Sequence, residues 1–194
     1  MQSTYIQPAK QKTNYLLGFS RIITGLLFIF SGLIKANDPT GFGYKLEEYF
    51  HVFNMNFLND YSTYLAILIC GLEIIFGALL LLGFHGRKVA WGLLILIIFF
   101  TFLTFYSAFF EVVTSCGCFG DAIPLTPWES FSKDLVLLAL ILIIFIYRKQ
   151  IKPIIADPFT SNLLTTAIVV ISMGIGIYTT HYLLSLIHIS EPTR

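Results

Sequence analysis

Residues 89–110, VAWGLLILIIFFTFLTFYSAFF, decide the fold class of this chain. These 22 residues carry no charge and lie between Lys88 and Glu111. An α-helix rises about 1.5 Å per residue, so the stretch is long enough to cross the roughly 30 Å hydrocarbon core of a bilayer. The stretch therefore predicts a membrane-spanning helix.

The composition of the whole chain supports the same interpretation. Of its 194 residues, 56% are hydrophobic and only 12% are charged, and the mean hydropathy is +0.79. An ordinary soluble domain has about 25% charged residues. The low charge and the net charge of +1 exclude a soluble enzyme, a disordered chain and a nucleic-acid binder. A polytopic membrane protein remains.

Four further stretches have the length and apolarity of a membrane span. The five predicted spans are residues 15–36, 61–82, 89–110, 128–147 and 162–183. We therefore predict an all-α membrane protein. A four-helix transmembrane bundle occupies residues 15–150, and a fifth transmembrane helix with its linker occupies residues 151–183. Residues 1–14 form the N-terminal segment.

The last eleven residues, 184–194, read LSLIHISEPTR and resemble the translation of a transposon-based sequencing adapter. Segments of this kind are set aside when a fold is predicted. The alternative is a natural polar tail that follows the last helix. We expect an adapter, and we therefore expect that the natural chain continued differently after Leu183.

Basic residues in the connections between spans predict the orientation in the membrane. Seven cations lie before the first span, between the second and third, and between the fourth and fifth: Lys10, Lys12, Arg87, Lys88, Arg148, Lys149 and Lys152. Because Lys and Arg concentrate on the cytoplasmic side, the N-terminus is predicted to be cytoplasmic. The connections 37–60 and 111–127 then face outward.

Local signals predict where two helices end and begin. Asn37, Asp38 and Pro39 are expected to end the first helix. Thr126 and Glu129 form a capping-box pattern that predicts the start of the fourth span.

In the connection 37–60, apolar residues recur at helical spacing, and they are Leu46, Tyr49, Phe50, Phe53 and Phe57. This pattern predicts a short amphipathic helix, which either lies on the outer leaflet or packs as a cap over the bundle.

The second outward connection contains two cysteines with one glycine between them, in SCGCFGD at residues 115–121. Outside the membrane, such a dithiol can oxidise. A bridge between Cys116 and Cys118 closes a very small ring, which Gly117 and Gly120 make easier because glycine tolerates unusual backbone angles. A strained and exposed bridge is typical of reducible, catalytic disulfides.

Other roles for these cysteines are open. A structural bridge would constrain too few residues to stabilise the fold much. A zinc site needs about four ligands, and His51 is the nearest candidate imidazole. Thiol–disulfide exchange through Cys116 and Cys118 is therefore favoured over metal binding. Cys70, about eight residues inside the second span, is predicted to be a small buried residue.

Glu73 is a candidate functional residue because carboxylates inside a bilayer are costly to bury. Arg21 on the first span is its predicted partner. Such a pair could fix helix register, relay protons or form a polar wall for a quinone head group. Lys35, near the outer end of the first span, is predicted to extend to the lipid head groups.

Small and aromatic residues suggest how the helices pack. Glycines on three spans are predicted to allow close helix contact, and they are Gly25, Gly32, Gly71, Gly77, Gly174 and Gly176. An aromatic run on the third span is expected to face lipid or pack, with a quinone pocket as the alternative. Its members are Phe99, Phe100, Phe102, Phe105, Tyr106, Phe109 and Phe110.

The chain resembles the DoxX/MauE-type membrane proteins, in the branch whose methylamine-utilisation members assist a periplasmic dehydrogenase. The matching features, in order, are Arg21, Gly25, Gly32, Lys35, Asp38-Pro39, Glu73, Gly77, Gly83, CGCFGD at 116–121 and Pro127-Trp128. The resemblance implies a four-helix membrane core. In family members with a fifth helix, it also implies an outward-facing thioredoxin-like domain on the same chain.

Two functions from different classes fit these features. The first is a thiol–disulfide redox protein of the bacterial inner membrane, in which Cys116 and Cys118 exchange electrons between a periplasmic thioredoxin-like partner and membrane quinone. Gly117, Gly120 and Asp121 would support that loop, and no cofactor would be covalently bound. The second is a non-enzymatic assembly factor for a periplasmic protein. A transporter fits less well, since few charges lie deep and no broken helix is evident.

Overall fold

The computed structural model describes residues 15–110, 126–155 and 157–190, with side chains as far as His181. Within these ranges the chain is helical and contains no strand. The helices are α1 (Tyr15–Asn37), α2 (Pro39–Val52), α3 (Ser62–Leu82), α4 (Gly86–Phe110), α5 (Pro127–Ile146) and α6 (Pro158–Ser190). Two short 3-10 helices cover Asn56–Tyr61 and Arg148–Gln150. The prediction of an all-α fold is confirmed.

Four helices are long and apolar enough to cross a membrane, namely α1, α3 with the preceding 3-10 turn, α4 and α6. The chain is thus a multi-pass membrane protein. The other predicted span, α5, has 20 residues but carries Glu129, Lys133 and Asp134 in its first turns. Its last twelve residues are apolar throughout. That α5 crosses the bilayer stays a prediction, and α6 extends seven residues beyond the predicted boundary at 183.

Glycine contacts bring α1 and α3 together. A Cβ atom on Gly77 would lie 2.8 Å from the carbonyl oxygen of Gly25, so a side chain there would force the two backbones apart. Met173 of α6 similarly lies against Gly71 of α3. The predicted close contact is therefore confirmed at these glycines. It is wrong for Gly174, because a Cβ atom added there would have no atom of the described residues within 4 Å.

The predicted amphipathic helix exists as α2, and its apolar face packs against the bundle. Leu46, Tyr49 and Phe50 are all less than 9% exposed. The Ser62 hydroxyl at the start of α3 donates a 2.5 Å hydrogen bond to Glu47. These contacts favour the cap over the alternative of a helix lying on the lipid surface.

Helix boundaries follow the local signals. α1 ends at Asn37, and Asp38 caps α2 by accepting a 2.9 Å hydrogen bond from the Gly41 amide. The capping box of Thr126 and Glu129 is present at the start of α5. Both predicted boundaries are confirmed.

The two basic connections that the structure describes lie at the same end of the bundle. The Ile154 amide, between α5 and α6, donates a 3.0 Å hydrogen bond to the Leu82 carbonyl at the end of α3. Gly83 ends α3 with φ of +75°, a left-handed conformation that favours glycine. α2 lies at the opposite end. Which end faces the cytoplasm stays a prediction.

Candidate functional site

The predicted dithiol, Cys116 and Cys118, lies outside the described residues, as do Gly117, Gly120 and Asp121. The helix ends that flank this connection are described. α4 ends at Phe110 and α5 begins at Pro127, at the end of the bundle that α2 covers. Aromatic rings from α2 and α4 meet at this end of the bundle: the ring centre of Phe53, at the end of α2, lies 4.9 Å from that of Tyr106 in α4.

Glu73 forms a buried ion pair with Lys35. The Lys35 Nζ atom lies 2.6 Å from Glu73 Oε1, and each residue is only 2% exposed. The Lys35 ammonium also lies 4.2 Å from the ring centre of Phe100 and 5.2 Å from that of Phe42. These rings stabilise the cation through their negative faces. The prediction that Lys35 extends to the head groups is therefore wrong, because a carboxylate and two rings hold its ammonium inside the bundle.

The predicted pair of Arg21 and Glu73 is also wrong. Arg21 instead donates hydrogen bonds of 3.1 Å and 3.3 Å to the carbonyl oxygens of Leu80 and Leu81. The last carbonyls of a helix lack partners within the helix and attract cations. Glu73 lies seven residues before Leu80, which is about 10 Å along α3. Arg21 therefore caps the end of that helix and does not contact its middle.

A second charged pair lies beside the first. The Lys133 Nζ atom is 3.1 Å from Asp134 Oδ1, and the Thr104 hydroxyl donates a 3.0 Å hydrogen bond to Asp134 Oδ2. Asp134 is 1% exposed. The sequence analysis gave neither Lys133 nor Asp134 a functional role. The missed signal was an acid two turns inside an apolar helix, where a surface role is disfavoured.

Both pairs line one small cavity between α1, α3, α4 and α5. We call Lys35, Glu73, Thr104, Lys133 and Asp134 the polar cluster. The cavity has a volume of about 20 Å³, with Ile97, Phe100 and Leu137 among its apolar walls. A space of this size holds about one water molecule. Ser31 also lines the cavity, and its side chain interacts with the Glu73 carboxyl group. The Glu73 Oε2 atom is buried and forms no geometric hydrogen bond with the described residues, so it is the acceptor that such a water would satisfy.

The cavity is too small for a quinone ring, so the polar cluster does not form the predicted polar wall for a head group in this conformation. A larger groove of about 500 Å³ lies between α3 and α6. It is lined by Tyr64, Ile67, Leu68, Met173, Ile177, Thr180 and His181. Its size suits a ring with an apolar tail. Over the described ranges, no three His, Cys, Asp or Glu residues group closely enough to hold a metal ion.

Cys70 and the aromatic run match the simpler predictions. Cys70 is completely buried and is a free thiol. Phe100 packs inside the bundle, whereas five others in the run are at least 40% exposed on the outside of α4: Phe99, Phe102, Phe105, Phe109 and Phe110. The run therefore packs and faces outward, and it does not enclose a pocket.

Comparison with known proteins identifies the family of this chain. The chain is 27% identical over 141 residues to Protein TlpB of Flavobacterium psychrophilum, an alignment that covers 70% of this chain and 38% of that protein. The chain thus spans about two fifths of the length of this relative. No solved structure matches the chain. The family model for methylamine utilisation protein MauE matches residues 13–147, which is more than half of the chain, and the chain belongs to this family.

Proposed function

We propose that this chain is a thiol–disulfide redox protein of the bacterial inner membrane. Cys116 and Cys118 form a reversible disulfide on the periplasmic side. They exchange electrons between a periplasmic thioredoxin-like partner and the membrane quinone pool.

The observation that carries this proposal is the position of the cysteine pair in the chain. In the sequence both cysteines fall between Phe110 and Thr126, and the described helix ends that flank them lie at the end of the bundle opposite the basic connections that contain Arg87 and Lys152. By the positive-inside rule, that end faces the oxidising compartment. The only other cysteine of the chain, Cys70, is buried in α3 and cannot meet a soluble partner.

The reaction balances with these participants. When the dithiol is oxidised, two S–H bonds break and one S–S bond forms, which releases two electrons and two protons. The quinone takes up both electrons and two protons to give the quinol. The reduced dithiol is regenerated by exchange with the partner, through a mixed disulfide that the second cysteine resolves. In this direction the partner's thiols are oxidised; in the reverse sequence, the quinol would reduce the disulfide and the dithiol would then reduce a disulfide of the partner.

Trapping of a mixed disulfide tests the proposal. Cys116→Ser and Cys118→Ser each leave one thiol, so one of the two variants is expected to accumulate a covalent adduct with a periplasmic thioredoxin-like protein. Cys70→Ser is the matched control and should leave trapping by the single-cysteine variants unchanged. If neither thiol reacts with maleimide in native membranes, before or after mild reduction, the proposal is excluded.

A second candidate function is a membrane platform that assists the assembly of a periplasmic protein. The surface formed by α2 and the 3-10 helix Asn56–Tyr61 favours this function. Tyr44, Phe57 and Tyr61 are each at least 60% exposed there, and exposed aromatic side chains are typical of protein contact surfaces. Replacing Cys116 and Cys118 together by serine separates the two functions. Client maturation that survives this change supports the platform. Loss of maturation with normal protein abundance supports thiol exchange.

A further inference from the structure

The polar cluster has no part in the thiol exchange itself, yet it places four charged groups inside the bundle. Lys35 and Lys133 balance Glu73 and Asp134, so the cluster is neutral overall. Buried ion pairs are weak devices for stability, because the loss of hydration offsets much of the attraction. In membrane helices, ionisable side chains frequently mark a route for protons or ions.

The cluster extends from the middle of the bundle toward the connection that carries the cysteines. Thr104 lies six residues before the end of α4, and Asp134 lies seven residues after the start of α5. At about 1.5 Å per residue, both are roughly 10 Å below that connection. Glu73 is in the middle of α3, and the cavity connects it with Asp134.

We propose that the polar cluster is a proton-exchange site and that Glu73 carries the proton. One water in the cavity links the free Glu73 Oε2 atom to Asp134, and Asp134 exchanges protons with the outer side. The inference rests on the proposed function in one respect only, which is that oxidation of the dithiol supplies the protons.

Proton balance gives the cluster its role. Oxidation of the dithiol releases two protons near the outer surface, and the quinone must take up two. One proton passes from the protonated cavity water to the Glu73 carboxylate. An O–H bond of that water breaks, and an O–H bond forms at Oε2. Glu73 later returns its proton to the cavity water, and the second proton of the dithiol is released directly to water at the outer surface. Thus the carboxyl group is regenerated as a carboxylate in each cycle.

The surroundings of Glu73 allow it to become neutral. The charged groups that share its cavity are Lys35 from α1 and Lys133 and Asp134 from α5, while Cys70 is the nearby titratable group on α3 itself. α4 contributes Thr104 through its hydrogen bond to Asp134, without a charge. When Glu73 is protonated, the rings of Phe100 and Phe42 still stabilise the Lys35 ammonium.

Infrared spectroscopy of the full chain in lipid nanodiscs tests the proposal. On acidification all carboxyl groups develop a carbonyl stretch, so the Glu73 band is taken from the difference between wild type and Glu73→Gln. It is expected at the higher frequency of a carboxyl group shielded from water, and it shifts in heavy water. Glu73→Gln should lack this band, and Asp134→Asn should shift its midpoint pH. Glu48→Gln is the matched control, because Glu48 forms an exposed pair with Lys45 and should leave the band intact.

One further variant, a double substitution, makes every outcome informative. If Glu73→Gln does not fold, Lys35→Met combined with Glu73→Gln removes both charges and should also lack the band. Absence of a Glu73 band at every pH at which the protein stays folded overturns the proposal, since the pair is then permanently charged.

The link to the thiols is tested separately by reducing the protein. The band should change on reduction in the wild type and stay constant when Cys116 and Cys118 are serine. A band that titrates in both proteins but never responds to reduction overturns the link to the dithiol. Because the titration itself needs no thiol, failure of the proposed function leaves the proton site testable.

Discussion

Removing one charge of the buried Lys35–Glu73 pair should have a much larger effect than removing one charge of an exposed pair. Lys35→Met leaves the Glu73 carboxylate buried without its cation, and breaking such a pair typically costs about 3–5 kcal/mol. Lys45→Met breaks an exposed pair with Glu48 and should cost less than about 1 kcal/mol. Reversible unfolding in mixed detergent micelles measures both. Equal losses for the two variants would contradict the buried pairing.

A double-mutant cycle distinguishes the observed partner of Glu73 from the predicted one. Coupling between Lys35 and Glu73 should be strong, on the order of 1 kcal/mol or more, because the two groups are in contact. Coupling between Arg21 and Glu73 should be close to zero, because Arg21 bonds to carbonyls at the end of α3. Comparable coupling in both cycles would restore the pair that the sequence suggested.

Gly77→Ala tests the close contact of α1 and α3. The added methyl group would lie 2.8 Å from the Gly25 carbonyl oxygen and 2.9 Å from Ile29, so the helices must separate. Overpacking of this kind costs about 1–3 kcal/mol. Gly18→Ala is the matched control in α1, since nothing lies within 4 Å of its new methyl group. A stability loss at Gly18 equal to that at Gly77 would show that helix contact is not the cause.

At the scale of single residues, the sequence shows which residue has unusual chemistry more readily than it shows which residue is its partner. Glu73 is recognisable because a carboxylate interrupts an apolar span. Its partner is not, because depth along one helix does not reveal which face of a neighbouring helix it meets. A lysine with a long side chain adds to this uncertainty, since Lys35 near the end of α1 reaches the level of Glu73.

Among the helices, α6 offers a pH-dependent prediction at its first turn. Asp157 accepts hydrogen bonds from the Thr160 hydroxyl and amide, and these bonds lower the pKa of its carboxyl group. A lowered folded-state pKa means that the cap is complete at neutral pH. Its contribution should be lost as the pH falls below the ordinary aspartate value of about 3.9.

Amide hydrogen exchange at residues 158–161 measures this effect. Asp157→Ala should increase exchange there at neutral pH. Asp157→Asn keeps the acceptor but cannot titrate, so its exchange should follow only the intrinsic pH dependence of the amides. A wild-type first turn that exchanges like Asp157→Asn at every pH would show that the charge on Asp157 does not contribute.

At the scale of secondary-structure elements, the helix boundaries could be predicted best from the sequence, because they depend on residues that are adjacent in the chain. The cap at Asp38 and the capping box at Thr126 are examples. The environment of α2 was less predictable. Periodicity indicates that Leu46 and Tyr49 share one face, but a lipid surface and a helix bundle satisfy that face equally well. Packing against α3 and α4 decides the question, and this depends on residues distant in sequence.

At the scale of the whole molecule, the basic connections predict a defined orientation in the membrane. The connection between α3 and α4 and the one between α5 and α6 are held together by the Ile154–Leu82 hydrogen bond. They concentrate Arg87, Lys88 and Lys152 at one end. This arrangement predicts that α5 crosses the same thickness as α4, although its first turns carry charges. The burial of Asp134 against Thr104 explains how the bundle accommodates such a charge.

Labelling of single cysteines in intact cells tests this orientation. In a background in which Cys70, Cys116 and Cys118 are replaced, Tyr44→Cys on the exposed side of α2 should react with a membrane-impermeant maleimide. Lys149→Cys, in the basic turn after α5, should react only after the cells are permeabilised. Both residues lie outside the apolar parts of the helices, so either would be labelled if it faced the reagent. Labelling of Lys149→Cys alone in intact cells would mean that the connection with Cys116 and Cys118 faces the reducing compartment, where a stable disulfide is not expected.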